Sequence, residues 1–457
     1  MQRGYGAVLM SENAKLTRGT IRSHLVSQTL PMIIGVAAIM SIGLVDSYFI
    51  GQLGSAQLAA ISFIFPITIA LGSMGVGIMV GINSVVARAL GEGDMAKAER
   101  RGTLGLVFAV LSGIAVGLIL FALLGPLFRL MQAPPDLEPL IQEYMRPFAL
   151  GYPLQMSIMG LNGVLRGQGE ARKTSIVSIV YSAANWVLDP ILITGAFGFG
   201  GFGIAGAAYA TLIGWACGIA TGAILVSRAP MGVGLAKLRN CHPVEPLAAI
   251  VRVALPAALS NSINPIGLAV LTALLASEGQ DAVAGFGAAG RVQSFAVVPL
   301  LALSGAIGAI VGQNWGADKP ERSREAMLLA GGFSAGYGLL IAVILAFGGG
   351  WFADFFTEDP AVMAQFTRYL SIAAWGYAGF GVLIVANGAL NAVDRSSFAL
   401  LQSLARVFLV MLPVAWLLQP HWGPDAVFAA ELCANLLGGT LAAIVVWHVL
   451  RKGPAAK

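Results

Sequence analysis

Charge is what this chain lacks. Of its 457 residues, 11% are Asp, Glu, Lys or Arg and 57% are hydrophobic, where soluble proteins carry about 25% charged residues. That scarcity excludes a soluble globular domain and makes a bilayer the expected surroundings. Cysteine is scarce too. Cys217, Cys241 and Cys433 have no paired spacing, which argues against a disulfide framework or a cysteine metal site. The four histidines, His24, His242, His421 and His448, form no H-x-E or HExxH pattern, so no metal is expected. No nucleophile–base set stands out, so the chain is not expected to be an enzyme. The apolar runs are continuous and do not alternate, which disfavours a β-barrel. No cleavable signal is evident, because the first apolar run is long and leads into further spans; Met1 and Met10 both remain as starts.

Glycine and proline are plentiful, 58 and 21 residues respectively. In water they would break helices, but neighbours in a bilayer re-satisfy freed backbone groups and small residues allow close packing. Apolar runs between polar turns predict an all-α integral membrane protein of twelve transmembrane helices. These fall near 25–50, 58–87, 102–131, 137–163, 174–199, 203–228, 248–276, 282–312, 325–355, 362–392, 396–420 and 425–450. Basic residues favour alternate loops: Arg88, Lys97, Arg100 and Arg101, then Arg166, Arg172 and Lys173, then Lys319, Arg322 and Arg324. The positive-inside rule puts those loops and both termini in the cytoplasm. The net charge of +5 is read as this orientation signal, with no nucleic-acid partner.

A repeat runs through the chain at a constant offset of 225 residues. Leu30-Pro31 matches Leu255-Pro256, Gly91 matches Gly316, Gly151-Tyr152 matches Gly376-Tyr377, and Asn162-Gly163 matches Asn387-Gly388. Six spans per half insert the halves the same way up, a parallel repeat with a substrate cavity between two bundles. The expected domains are an N-terminal six-helix bundle (1–228), a cytoplasmic connector (229–247) and a C-terminal six-helix bundle (248–457).

Two carboxylates stand alone in this apolar sequence. Asp46 is the only formal charge from Ser23 to Ala87, and Asp189 the only one from Thr174 to Ser227. An intramembrane carboxylate is costly and usually has a task. Asp46 and Asp189 lie late in helices of the same direction, so they are placed to meet in the outer half and titrate as a pair. Asn185 shares a helix face with Asp189, and Thr211 offers a further oxygen to an ion. Ordinary interhelical hydrogen bonding is the plainer reading of these two. Pro31 and Pro190 are hinges or static kinks.

Several motifs in order resemble the multidrug and toxic compound extrusion (MATE) family over essentially the whole chain. They are Leu30-Pro31-Met32 with Gly43-Leu44-Val45-Asp46-Ser47-Tyr48-Phe49-Ile50-Gly51-Gln52-Leu53-Gly54, then Asn162-Gly163-Val164-Leu165-Arg166-Gly167-Gln168-Gly169, then Gly312-Gln313-Asn314-Trp315-Gly316-Ala317. The resemblance implies secondary-active efflux of amphipathic, often cationic xenobiotics, driven by H+ or Na+. Within the family the chain is similar to the DinF-type branch. That likeness implies ion coupling at Asp46, Asp189, Asn185 and Thr211, a bending proline at Pro31, and a helix-4 tyrosine at Tyr144. Asn264 and Phe380 stand where another branch has C-bundle acids, which argues against a C-bundle ion site.

No cofactor is expected besides the coupling ion. The expected partners are small-molecule xenobiotics and the bilayer, the expected state a monomer. The expected location is a cell membrane, the inner one in a Gram-negative bacterium. The alternative is a lipid-linked precursor flippase, which would need a basic cavity; Arg291 is taken as the basic residue deepest in a span. Glu431, on helix 12, is set against Arg291 as an ion pair or as cavity lining, with a solvated mouth as the plainer reading.

Overall fold

The computed structural model describes residues 14–198, 200–239 and 242–454. After a 3-10 turn at Lys15–Thr17 come twelve helices: α1 (Ile21–Gly51), α2 (Ser55–Gly91), α3 (Met95–Leu130), α4 (Glu138–Gly167), α5 (Ala171–Thr194) and α6 (Ile204–Ser227). The second half holds α7 (Val244–Ala276), α8 (Gln280–Ala296 with Val298–Gly316), α9 (Pro320–Ala353), α10 (Pro360–Ala392), α11 (Ser396–Trp422) and α12 (Pro424–Lys452). There is no strand among the described residues. Among the described residues, eleven helices are long and apolar enough to cross a membrane. The twelfth, α4, carries Glu138, Gln142, Glu143, Arg146 and Arg166. It buries much of its surface against α2, α3 and α6 instead of facing lipid.

The fold is therefore the expected all-α membrane protein with two parallel six-helix bundles. Helix ends differ from the expected spans for local reasons. α3 starts at Met95, ahead of 102, because Asp94 caps it by accepting from the Lys97 amide at 2.8 Å. α7 starts at Val244, inside the stretch expected as connector, with Pro246 in a first turn where a missing N–H costs little. Cys241, expected in that connector, lies outside the described residues.

The bundles meet along one half of their length. Ala254 and Ala258 of α7 pack on Gly77 of α2, and Ala254 also packs on Gly81. Farther toward the chain-end face, α2 crosses α8 at the repeat's pseudo-twofold axis. A Cβ on Gly91 would sit 2.1 Å from the Gln313 carbonyl oxygen, and one on Gly316 would sit 2.2 Å from the Arg88 carbonyl oxygen. Only glycine permits that approach. The hydrogen bonds obey the same symmetry: Arg88 donates to the Ala392 carbonyl at 2.8 Å, and Gln313 to the Gly167 carbonyl at 2.9 Å. Arg88 and Gln313 are repeat equivalents, as are Gly167 and Ala392.

Salt bridges and a strap finish this closed face. Asp394 takes Arg252 at 3.6 Å and Arg88 at 4.0 Å. The Lys15–Thr17 turn bonds one bundle through Lys15 to Glu170 at 2.7 Å, and the other through Leu16 to Gln313 and Asn314 at 3.1 Å each. A cavity of about 1100 Å³ lies on this face, rimmed by Arg88, Arg252, Asp394, Arg395, His448 and Lys452. Toward the opposite face α7 continues past the glycine–alanine contacts to Asn261 and Asn264, which are exposed.

Candidate functional site

The N-terminal bundle gathers the residues singled out from sequence. Asp189 on α5 is fully buried, and Asp46 on α1 is half-buried. Asp46 faces both Asp189 and Asn185, and it is the charge that acts on Asp189. Asn185 donates to Thr211 of α6 at 3.4 Å. Tyr144 of α4 stands within electrostatic range of both carboxylates. It stacks on Phe148, which meets Trp215 edge-on. All three rings are buried.

The oxygen atoms of this site are left over. Asp46 Oδ1, both oxygens of Asp189 and Asn185 Oδ1 are buried without a hydrogen-bond donor. Buried acceptors of this kind are rare because each costs roughly 1–3 kcal/mol. Two carboxylates facing each other repel unless a proton or cation is shared between them. Chemically, the cluster is an acceptor set for H+ or Na+.

Both prolines stand where the sequence put them, in differing settings. Pro31 lies inside an α1 that runs unbroken from Ile21 to Gly51. Pro190 sits in the last turn of α5, which ends at Thr194 before left-handed Gly195. A bend at Pro190 would therefore move only the end of α5.

In the C-terminal bundle the structure corrects the sequence reading. Arg291 is exposed, and it does not meet Glu431. Gln293, two residues on and so turned to another face of α8, donates to Glu431 Oε1 at 2.8 Å. Tyr369 donates to Glu431 Oε2 at 2.9 Å. The basic residue deep in a span is Arg406 of α11, only 4% exposed. It donates to Asn435 Oδ1 at 2.6 Å and to Asn264, and its guanidinium lies 5.1 Å over the Phe380 ring. Asn264 and Phe380, noted for lacking acids, are thus the surroundings of a buried cation. Arg406 lies within the expected 396–420 span, so the rule that found Asp46 would have found it too.

Two parallel bundles, closed on one face and each holding a buried polar cluster, define a membrane transporter and not an enzyme. The chain belongs to the MatE family, whose profile matches residues 31–191 and again 256–417, one copy per half. A curated relative in Shewanella oneidensis, named a FAD transporter, is 34% identical over 438 residues, spanning 94% of this chain and 95% of that protein. The multidrug export protein MepA of Staphylococcus aureus is 26% identical over 433 residues, 93% of this chain and 92% of that one. A mutant of the Vibrio cholerae MATE transporter VcmN superposes with TM-score 0.90 at 30% identity, covering 97% of this chain and 98% of that chain.

Proposed function

We propose that the protein is a cation-coupled antiporter that exports amphipathic organic compounds by alternating access. The carrying observation is the set of unpartnered acceptor oxygens on Asp46, Asp189 and Asn185. H+ or Na+ bound there gives the two conformers different free energies, which is what a coupling ion must do. Each charge that crosses the full membrane potential contributes about 2.3 kcal/mol per 100 mV. The basic loops support a cytoplasmic closed face and cytoplasmic termini, and in this reading the conformation is outward-open. In this reading the protein works as a monomer in a cell membrane, the inner one in a Gram-negative cell.

A second reading of the cargo has an observation of its own. The Shewanella oneidensis FAD transporter is 34% identical to this chain, whereas MepA is 26% identical. The substrate range is therefore proposed to include flavin nucleotides beside multidrug-type compounds. A lipid-linked precursor flippase is the weaker alternative, since of the buried arginines Arg101 lies near the start of α3 and Arg406 lies mid-helix, and a pyrophosphate calls for several.

Inverted vesicles loaded by a pH gradient or by Na+ separate the coupling ions. One of the two gradients is expected to drive ethidium accumulation, and Asp46→Asn is expected to remove that dependence. Ethidium transport that ignores both gradients, or that survives Asp46→Asn unchanged, overturns coupling at this site.

A further inference from the structure

The two bundles present opposite polarities to whatever enters between them. In the N-terminal bundle the unpartnered atoms at the site are acceptors. In the C-terminal bundle, Arg406 Nε is a buried donor with no partner, and Asn435, which reaches Glu431, and Tyr377, which meets Tyr369, stand close by. An unsatisfied guanidinium N–H calls for an acceptor, and an oxyanion is the acceptor that fits a charged fork best.

We propose that the pocket around Arg406, Asn435 and Tyr377 is an anion-accepting subsite of the substrate cavity, taking the phosphate or carboxylate of an aromatic substrate. It deepens the flavin-nucleotide reading of the cargo and rests on it. Four observations converge on the same place. Arg406 is the second residue of the π-helical stretch of α11, Ala405–Met411, and such widened turns concentrate at functional sites. Its plane is held over Phe380, which is half-buried. Asn264, which accepts from Arg406, is exposed. It lies farther along α7 from Ala254 and Ala258, which pack on the other bundle. An incoming oxyanion can replace the Asn264 oxygen on the guanidinium and accept from Nε as well.

Glu431 does not compete for that role. Its two oxygens are occupied by Gln293 and Tyr369, and its charge balances Arg406 from across Asn435. The repeat sharpens the contrast. Tyr369 is the equivalent of Tyr144, so each bundle carries a tyrosine beside buried carboxylate, and beside Glu431 the C-terminal bundle adds the Arg406 guanidinium. The equivalent of Arg406 in the first half is Tyr181. A zwitterionic or singly phosphorylated substrate would thus be received by one wall, with the coupling cation held in the other.

The test is an equilibrium binding comparison on the purified full-length protein, with riboflavin and riboflavin 5′-phosphate as probes and ethidium as the control. Wild type is expected to bind the phosphorylated flavin about 10- to 100-fold more tightly than riboflavin, the range of a charge-assisted pair. Arg406→Gln should bring that ratio near one and leave ethidium binding in place; Arg406→Lys should keep part of it. If Arg406→Gln misfolds because Glu431 loses its balancing charge, the double variant Arg406→Gln/Glu431→Gln restores neutrality and carries the same expectation. Inorganic phosphate should compete with the phosphorylated flavin and not with riboflavin; competition by phosphate alone without flavin discrimination would mark a free-phosphate site and overturn the substrate assignment. A wild-type ratio near one, or a ratio unchanged in both glutamine variants, also overturns the proposal. Riboflavin itself failing to bind, with ethidium still bound, would instead strike the flavin reading of the cargo.

Discussion

Asp189→Asn is expected to abolish gradient-driven efflux while leaving the protein folded and inserted. The substitution keeps the size of the side chain and removes its titratable charge. Asp189 is fully buried and neither of its oxygens has a donor, so a neutral amide is cheaper there than a carboxylate. Thermal stability should hold or rise slightly. Substrate affinity at equilibrium should survive, because coupling is a free-energy difference between conformers and not the binding contact itself. Melting temperature, substrate affinity and vesicle efflux measured side by side decide the matter. Retained efflux with unchanged pH and Na+ dependence would reduce Asp189 to a structural group and remove the second acid from the mechanism.

The second large effect is mechanical. Gly91→Ala and Gly316→Ala each drive a methyl group into a backbone carbonyl, at 2.1 and 2.2 Å respectively, and a carbonyl held in a helix cannot rotate aside. Overpacking of this kind costs about 1–3 kcal/mol. The clash exists only while α2 and α8 touch, so it penalises the closed face and not the alternative conformer. The populations should move toward opening of that face by about fivefold to over a hundredfold. Spin labels at Ala96→Cys and Phe398→Cys, one on each bundle, report the change as a longer interbundle distance by pulsed electron resonance. An unaltered distance distribution in both variants, with normal transport, would mean that the helices yield locally and that this crossing is no seal.

Much of this architecture was legible in the residues because membrane helices announce themselves through uninterrupted apolar runs, and because the two halves repeat at one spacing. Asp46 and Asp189 were legible for a related reason: a lone charge in an apolar run is conspicuous. The C-terminal cluster was less so. Glu431 and Arg406 sit on different helices, and their true partners, Gln293, Tyr369, Asn264 and Asn435, are neutral groups that no charge count reveals. Arg291 drew attention as a nearby cation, yet its helix face points outward while Gln293 points in. The crossing of α2 and α8 was visible only as a matched pair, Gly91 and Gly316; that each glycine receives the other half's carbonyl needs three dimensions.

The seal's two equivalent hydrogen bonds are chemically unlike, and ionic strength separates them. Gln313 holds the Gly167 carbonyl with a neutral amide, while Arg88 holds Ala392 as a cation within a cluster that includes Asp394 and Arg252. Arg252 is largely exposed, and mobile ions screen exposed charges over about 10 Å at 0.1 M salt. Raising salt on that side therefore weakens one half of a symmetric latch and spares the other. The bundles would part first on the arginine side, which turns a symmetric repeat into a door with a preferred edge.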